Sequence, residues 1–599
     1  MELIGINIIM IGYIAIKLLY FNFDTNINTP PFRLKIHKKT VQAMIASGMV
    51  IDGLLCILGA DFSWIVVGIL FDVILFSDAL YMRYYKNPLT ISVMIHQFKL
   101  VKGIKESVFG VFLKKDLIYF TELPFLIAIS ITLKKLNVEL TFKLSYGGLT
   151  LIVGLIWFIY IYKVSNRKSY FWNKKRMARD LGVLYYHLED VVHYFKVKLR
   201  KVELTKDEKE KINSSFWKRR ENEYSNIAKD KNLIVLQLES MQDFLINRTI
   251  EGREITPNLN KLMKESVRFE NMYYQTSVGN TSDAELIVNN SLFPLADKPA
   301  CYECQTNQFK SVGHSLKSRG YHNVAFHGNQ ASFWNRHLMY QLYGFDKFVD
   351  NSMLDNDEFI FPGLSDRSFF RQVVGYLAKK SVDSKIFAFL ITLSLHHPYE
   401  YFANYDFSVG KQEGTFIGRY IKGAHYADQA IGKFIEDLKE KGLYEDSLLV
   451  MYGDHAGIPR QYRQEFMDFL ELDNVDYNWT KFQKVAACMH LPGQKQGKGV
   501  TKAVGQIDIL PTISNMMDLE ISCALGKDML DNTSFGGIVN REGVVVTDYY
   551  VSYPTEEYAQ DIQTGEKIAI TEEMKSEIIN LREKLQISDL ILEKNALKE

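Results

Sequence analysis

The pattern of apolar and polar positions changes character twice along the chain. Apolar runs occupy about 4–22, 42–60, 62–80, 117–133 and 144–162, each near the roughly 17–25 residues a helix needs to cross the hydrocarbon layer. The last, LSYGGLTLIVGLIWFIYIY, carries a Trp and tyrosines toward one end, the placement of an interfacial aromatic belt. The first lacks a basic start and a small-residue cleavage site, and four more runs follow, so it reads as a span and not as a signal peptide. Five transmembrane helices are therefore predicted over 1–163. Asp52, Asp72 and Asp78 fall within or beside them. Acids at that depth are costly and raise a functional pathway as one reading; the favoured one puts them near helix ends or facing neighbouring helices.

Residues 164–229 keep a helical periodicity but turn polar and basic, with no Gly/Pro-rich linker, and are read as a connector. From 230 a third pattern begins. Strand-length runs (NLIVLQLE, SVRFENMYY, HNVAFHG, KIFAFLITLS, SLLVMYGD, KVAACMHLPG) alternate with amphipathic stretches such as TPNLNKLMKES, SDAELIVNNSLF, NQFKSVGHSLKSRG and RYIKGAHYADQAIGKFIEDLKEKG. Near-continuous apolar strands separated by helices predict a mostly parallel sheet covered on both faces. This α/β domain is placed at 230–545, and 546–599 is a C-terminal extension packing on or trailing it. No internal repeat or low-complexity tract occurs.

Composition narrows the class. The 599 residues are 47% apolar with 71 Lys+Arg against 70 Asp+Glu and five cysteines, which excludes a disordered chain, a collagen-like repeat and a disulfide-dense mini-protein. The charge is uneven. Residues 1–163 carry 16 basic and 10 acidic side chains, 164–229 carry 17 and 9, and 230–599 carry 38 and 51. The folded α/β domain is thus acidic, the opposite of a nucleic-acid footprint. Lys174, Lys175, Arg176 and Arg179 follow the fifth run directly, which fits both a solvated face and contact with anionic headgroups. The loops at 23–41 and 81–116 hold four and seven Lys/Arg. By the positive-inside rule they lie in the cytoplasm, and so would the C-terminal domain.

Ligands of a parallel α/β sheet collect beyond the carboxyl ends of its strands. Glu239 ends LIVLQLE, Asp454 and His455 end LLVMYGDH, His327 ends NVAFH, and His396 and His397 follow FLITLSL. Thr281, in SVGNTSDAELIV, stands between a strand and a helical pattern. Ser282 and Glu285 have capping-box spacing, which puts Thr281 at or just before the helix N-cap, where backbone N–H groups and the helix dipole favour a phosphate. Carboxylates plus one imidazole suit a hard or borderline divalent ion such as Mn²⁺ or Mg²⁺. Such an ion makes a hydroxyl a usable nucleophile.

LQLES, GNTSDAE, FHGNQASFWNR, YGFDKF, ITLSLHHPY, MYGDHAG and VGQIDILPT, in that order over most of 230–530, resemble the lipoteichoic acid synthase family. These are polytopic phosphoglycerol transferases whose catalytic domain has the sulfatase/alkaline-phosphatase fold. The resemblance implies Thr281 as a nucleophile that becomes glycerophosphorylated, and Glu239, Thr281, Asp454 and His455 as ligands of one Mn²⁺ or Mg²⁺. It also implies Trp334, Arg336 and His396 as glycerophosphate-binding groups, with His327 nearby. Alignment on Pro398 gives the family position to His396, which leaves His397 to packing. The implied donor is phosphatidylglycerol, and the implied acceptor a glycolipid anchor or a growing polyglycerolphosphate chain. The implied location is the bacterial cell membrane, with the catalytic domain outside the cell, against the loop charges. Alternatives within the superfamily are a primase that adds only the first glycerophosphate and a phosphoethanolamine-type transferase. A sulfatase needs a Cys or Ser in a CxPxR-type context, which GNTSDAE does not provide. Departures from the family are Asn280 in place of a basic residue before the nucleophile, and Cys301 and Cys304, for which a local disulfide and a free pair are equally open.

Overall fold

In the computed structural model the chain divides into two units, Met1–Arg200 and Lys201–Glu599. The described residues run from 203 to 598 except 306, 332 and 534. Before 203 they are chiefly 2–25, 38–58, 63–85, 112–121, 140–164 and 181–199, with scattered positions between.

The first unit contains α1 (Glu2–Thr25), α2 (Lys38–Leu58), α3 (Ser63–Tyr85), α4 (Leu140–Val164) and α5 (Val183–Leu199). Glycines let α2 and α4 touch backbone to backbone. A Cβ on Gly53 would lie 2.6 Å from the Leu151 nitrogen, and one on Gly147 would lie 2.7 Å from Cys56 Cβ, the close approach that small residues permit between membrane helices. On α4, Leu149, Ile152, Ile156 and Ile159 form an exposed apolar stripe at helical spacing, a face suited to lipid. The expected count of five spans is not what the structure shows. Among the described residues two helices are long and apolar enough to cross a membrane, Thr40–Ile57 in α2 and Leu144–Ile161 in α4. The described apolar stretch of α1, Asn7–Asn22, is shorter, and α3 carries two acids along its length. The run expected at 117–133 opens as a 3-10 helix, Lys114–Phe120, and much of the remainder lies outside the described residues, as do Lys174, Lys175, Arg176 and Arg179. Asp52, Asp72 and Asp78 are buried. Asp72 pairs with Lys17 of α1. Asp78 accepts the Leu89 N–H at 2.9 Å and meets His187 Nε2 at 2.5 Å.

The second unit opens with α6 (Lys206–Ser215), capped by Thr205, whose hydroxyl accepts the Glu208 N–H while Glu208 takes the Thr205 N–H. Its central sheet has eight strands: β1 (Asn232–Leu238), β2 (Val267–Tyr273), β3 (His322–His327), β4 (Lys347–Val349), β5 (Ile386–Ile391), β6 (Ser447–Gly453), β7 (Ala487–His490) and β8 (Lys498–Gly505). Their spatial order is β8-β2-β7-β6-β1-β5-β3-β4. β6, β1, β5, β3 and β4 run parallel, and only β7 is antiparallel to both its neighbours. The expected mostly parallel sheet is therefore observed.

Both faces are covered. Alternate residues of the central strands, including Ile234, Leu236, Leu238, Ala388, Leu390, Leu449 and Met451, join one core with Phe369 and Val373 of α8 (Asp366–Lys380) and Ile431 and Phe434 of α9 (Phe416–Glu440). The opposite face carries α7 (Thr281–Asn290), all ten residues of which are buried. A five-stranded antiparallel meander follows: β9 (Gly537–Val539), β10 (Val545–Thr547), β11 (Tyr550–Ser552), β12 (Tyr558–Asp561) and β13 (Lys567–Ala569). The terminal helix α10 (Glu572–Glu593) is tied down by a buried Arg541–Asp589 ion pair and by Ser588, whose hydroxyl donates to the Phe293 carbonyl at 2.8 Å.

Candidate active site

The parallel register of β1 and β6 aligns Leu238 with Gly453, so Glu239 and Asp454 leave the sheet together at its carboxyl edge. Two hydrogen bonds hold the exits in place. The Asp454 N–H donates to the Leu238 carbonyl at 3.1 Å, and the Glu239 N–H donates to Thr392 Oγ1 at 2.8 Å, beyond the end of β5. Ser240 then turns the chain in a left-handed conformation (φ 56°), uncommon for a residue with a Cβ. The turn aims its N–H at Asp454 Oδ1, 2.8 Å away, and its hydroxyl at Glu239 Oε1, also 2.8 Å away.

Thr281 is the first residue of α7. Its carbonyl accepts Gln237 Nε2 at 3.1 Å, which ties the helix start to β1. Its hydroxyl lies 3.3 Å from Glu239 Oε2 and 3.5 Å from His455 Nε2. The expected capping box is absent. Asn280 is the N-cap, Ser282 Oγ donates back to the Gly279 carbonyl at 2.9 Å, and Glu285 turns away toward Arg336. The preceding loop is shaped instead by Asp283, whose Oδ2 accepts the N–H groups of Ser277 and Gly279, both at 2.9 Å. Sequence reading missed Asp283, Ser240 and Thr392. Their only signal is a polar type beside a strand end or helix start.

Glu239, Asp454 and His455 offer ligand atoms that all lie within 4.8 Å of one another. Asp454 Oδ1 is used by the N–H groups of Ser240 and His455, whereas Oδ2 is buried without a hydrogen bond and faces His455 Nε2 at 3.5 Å. A lone carboxylate oxygen out of water is costly unless a cation faces it. Burial pushes the carboxyl of Glu239 up, and burial followed by the Glu239 charge pushes Asp454 up to about 7. Two carboxylates crowded together out of water, with an imidazole and a hydroxyl beside them, form a donor set that fits one Mn²⁺ or Mg²⁺.

The residues expected to bind glycerophosphate take distinct places. Arg336 is buried and grips Glu285, with Nε at 2.9 and 3.2 Å and Nη2 at 2.7 Å from its carboxylate oxygens. The bidentate face expected to clamp a phosphate is thus turned to Glu285, and Nη1 remains without a partner. His327, at the end of β3, is buried with Nδ1 3.1 Å from the Ile391 carbonyl, and burial lowers its pKa well below the ordinary histidine value. His396 Nδ1 lies 2.7 Å from the His397 carbonyl, and burial lowers its pKa to about 4. Trp334 is buried in a left-handed turn (φ 56°), its ring 6.0 Å from that of Tyr302. His397 packs against Tyr399 and Phe416. Cys301 and Cys304 are free and buried, and Ser282 Oγ lies 3.6 Å from Cys301 Sγ.

Comparison with known proteins shows the family. Residues 231–519 match the sulfatase family model, and residues 1–203 match that of the lipoteichoic acid synthase N-terminal domain. Lipoteichoic acid synthase 1 of Bacillus subtilis is 30% identical over 552 residues, 89% of this chain and 85% of its own. The chain belongs to the lipoteichoic acid synthase family. Lipoteichoic acid synthase 2 of the same organism is 31% identical over 549 residues, covering 89% of this chain and 84% of its own. Among solved structures, the lipoteichoic acid synthase LtaP from Listeria monocytogenes superposes with a TM-score of 0.57 at 27% identity, over 67% of this chain and 98% of that one. Lipoteichoic acid synthase family members are metal-dependent phosphoglycerol transferases of the sulfatase/alkaline phosphatase superfamily, and this chain is an enzyme of that family.

Proposed function

We propose that this lipoteichoic acid synthase homologue moves glycerol phosphate from phosphatidylglycerol to a glycolipid anchor or a growing polyglycerolphosphate chain, by way of glycerophosphorylated Thr281. The supporting observation is the Thr281 hydroxyl, 3.3 Å from Glu239 Oε2 and 3.5 Å from His455 Nε2, at the start of a buried helix. In the first step Thr281 Oγ1 forms a bond to the headgroup phosphorus and the bond to the diacylglycerol oxygen breaks. That oxygen takes a proton and diacylglycerol leaves. In the second step an acceptor hydroxyl attacks the same phosphorus, the Thr281–phosphorus bond breaks, and Thr281 regains its proton.

Glu239, Asp454, His455 and Thr281 would hold the divalent ion, which supplies charge neutralisation and a lowered hydroxyl pKa. The chain's own groups do the rest. Arg336 Nη1 is the buried cationic donor left for a phosphoryl oxygen, in a reaction whose main demand is electrostatic. His396 is uncharged near neutral pH. With Nδ1 turned to the His397 carbonyl, it keeps a lone pair on Nε2 for the proton of an attacking hydroxyl. Trp334 and His327 are the remaining binding groups.

The reading places the protein in the cell membrane as a multi-pass protein with residues 201–599 outside, where lipid headgroup and polymer acceptor meet. Protection of that region from protease on intact cells would overturn the orientation. The reaction is tested with labelled phosphatidylglycerol and Mn²⁺. Diacylglycerol release is expected, and it is expected to vanish in Thr281→Ala and with a chelator. Release unchanged in Thr281→Ala, or robust turnover of an aryl sulfate, would exclude the mechanism. Adding a glycolipid acceptor separates primase from polymerase by product length.

A further inference from the structure

Thr281 and Glu285 are four residues apart on α7 and therefore share one face of that helix, one turn from each other. The nucleophile heads the helix, and the carboxylate behind it grips Arg336 through Nε and Nη2 at 2.7–3.2 Å. Both partners are almost fully buried, at 2% and 3% side-chain exposure. The grip uses the guanidinium edge that would otherwise clamp an anion in bidentate fashion, and it leaves Nη1 buried with no acceptor. Because Glu285 lies one turn behind Thr281 on α7, the guanidinium it holds is tethered one helical turn from the nucleophile.

A buried ion pair is weak evidence of a gain in stability, since desolvation cancels much of the attraction. Nor does Glu285 cap its helix, because its carboxylate points to Arg336 and not back along α7. What the pair does accomplish is orientation. Two hydrogen-bonded nitrogens fix the plane of the guanidinium, and with it the directions of the two Nη1 N–H bonds.

We propose that Glu285 is a positioning residue for phosphoryl transfer, clamping Arg336 so that Nη1 alone meets a phosphoryl oxygen beside Thr281. This rests on the reading of Thr281 and Arg336 under the proposed function. It makes α7 a ruler: the nucleophile and the support of the phosphate donor are set by one turn of rigid, buried backbone. Charge is preserved, because the ligand's negative oxygen approaches a guanidinium whose own counter-charge lies on the far side.

The test uses the full-length chain loaded with Mn²⁺ and glycerol phosphate as the probe, with binding read by calorimetry. Glu285→Asp keeps the charge but withdraws the carboxylate by one methylene and draws Arg336 back. Glycerol phosphate affinity is expected to fall about ten-fold, with Mn²⁺ affinity unchanged. In an Arg336→Lys background, where no planar fork exists to be aimed, the same substitution is expected to add less than about a two-fold loss. Unchanged affinity in Glu285→Asp, or losses that multiply in the double variant, would overturn the role. If Glu285→Asp fails to fold, Glu285→Gln takes its place. Its amide turns a donor toward the guanidinium and opens the clamp, so the same loss is expected and its absence overturns the proposal. Binding is read without turnover, so failure to cleave phosphatidylglycerol would strike the proposed reaction and leave this test intact.

Discussion

Leu238 and Gly453 are register partners on adjacent parallel strands, and the residue after each is a buried carboxylate. Glu239 and Asp454 are more than two hundred residues apart in the chain, yet the sheet delivers them to one edge with no loop between strand and ligand. A site built on strand ends is held more precisely than one built on loops.

Asp454→Asn removes the charge of Oδ2, which makes no hydrogen bond, while its other oxygen can still accept from Ser240 and His455. The fold is expected to persist and Mn²⁺ affinity to fall by more than the roughly 10–100-fold typical of losing a supporting residue. Titration of the ion followed by a thermal melt checks both halves.

Thr281→Ser retains a hydroxyl at the head of α7, whereas Thr281→Ala retains none. Diacylglycerol release is expected to survive in the first and to drop by more than about 10³-fold in the second. Glu239, Asp454 and His455 still meet within 4.8 Å in both, so each variant should continue to bind the ion.

Removal of the ion is expected to lower stability as well as activity. An ion that binds only the folded chain adds about 2.7 kcal/mol at one hundred times its Kd, visible as a lower Tm in chelator that added Mn²⁺ restores. An unchanged Tm would show that the four side chains do not share an ion.

Residues 216–231 are bound onto the second unit through Arg219 and Lys229, which both engage Asp518. The Arg219 and Lys229 hydrogen bonds hold the Asp518 carboxyl down at about 2. A depressed folded-state pKa stabilises the clasp above the unfolded value of about 3.9, and that contribution disappears as pH falls toward about 2. Amide protection in 216–231, taken relative to the intrinsic exchange rate at each pH, should therefore fall across that window in the wild type. In Asp518→Asn it should be lower already at neutral pH and flat over the same range.

Much of the catalytic unit was legible because strand ends announce themselves. Glu239, Asp454 and His455 each close an apolar run, and the parallel sheet has one edge on which such residues collect. The capping-box reading of Ser282 and Glu285 failed because spacing reports which residues are able to meet, and Glu285 had a stronger partner fifty-one positions away. Of the five expected spans, two are helices long and apolar enough to cross a membrane among the described residues. Apolar length marks a candidate helix, but Lys17, Asp72, Asp78 and His187 show that these helices also bury charged groups against one another, which run length does not register.

The sequence by itself determined the division into an apolar, helix-forming front and an acidic α/β rear, and it determined the chemical types that stand at each strand end. Those follow from side-chain periodicity and composition, which are local. Only the tertiary structure decided that one guanidinium edge belongs to Glu285, that Asp454 keeps one oxygen without a hydrogen bond, and that a hydroxyl 42 residues from Glu239 lies 3.3 Å from it. Such relationships depend on strand order and helix placement. The free energy that sets these is spread over the whole core and is written in no single stretch of the chain.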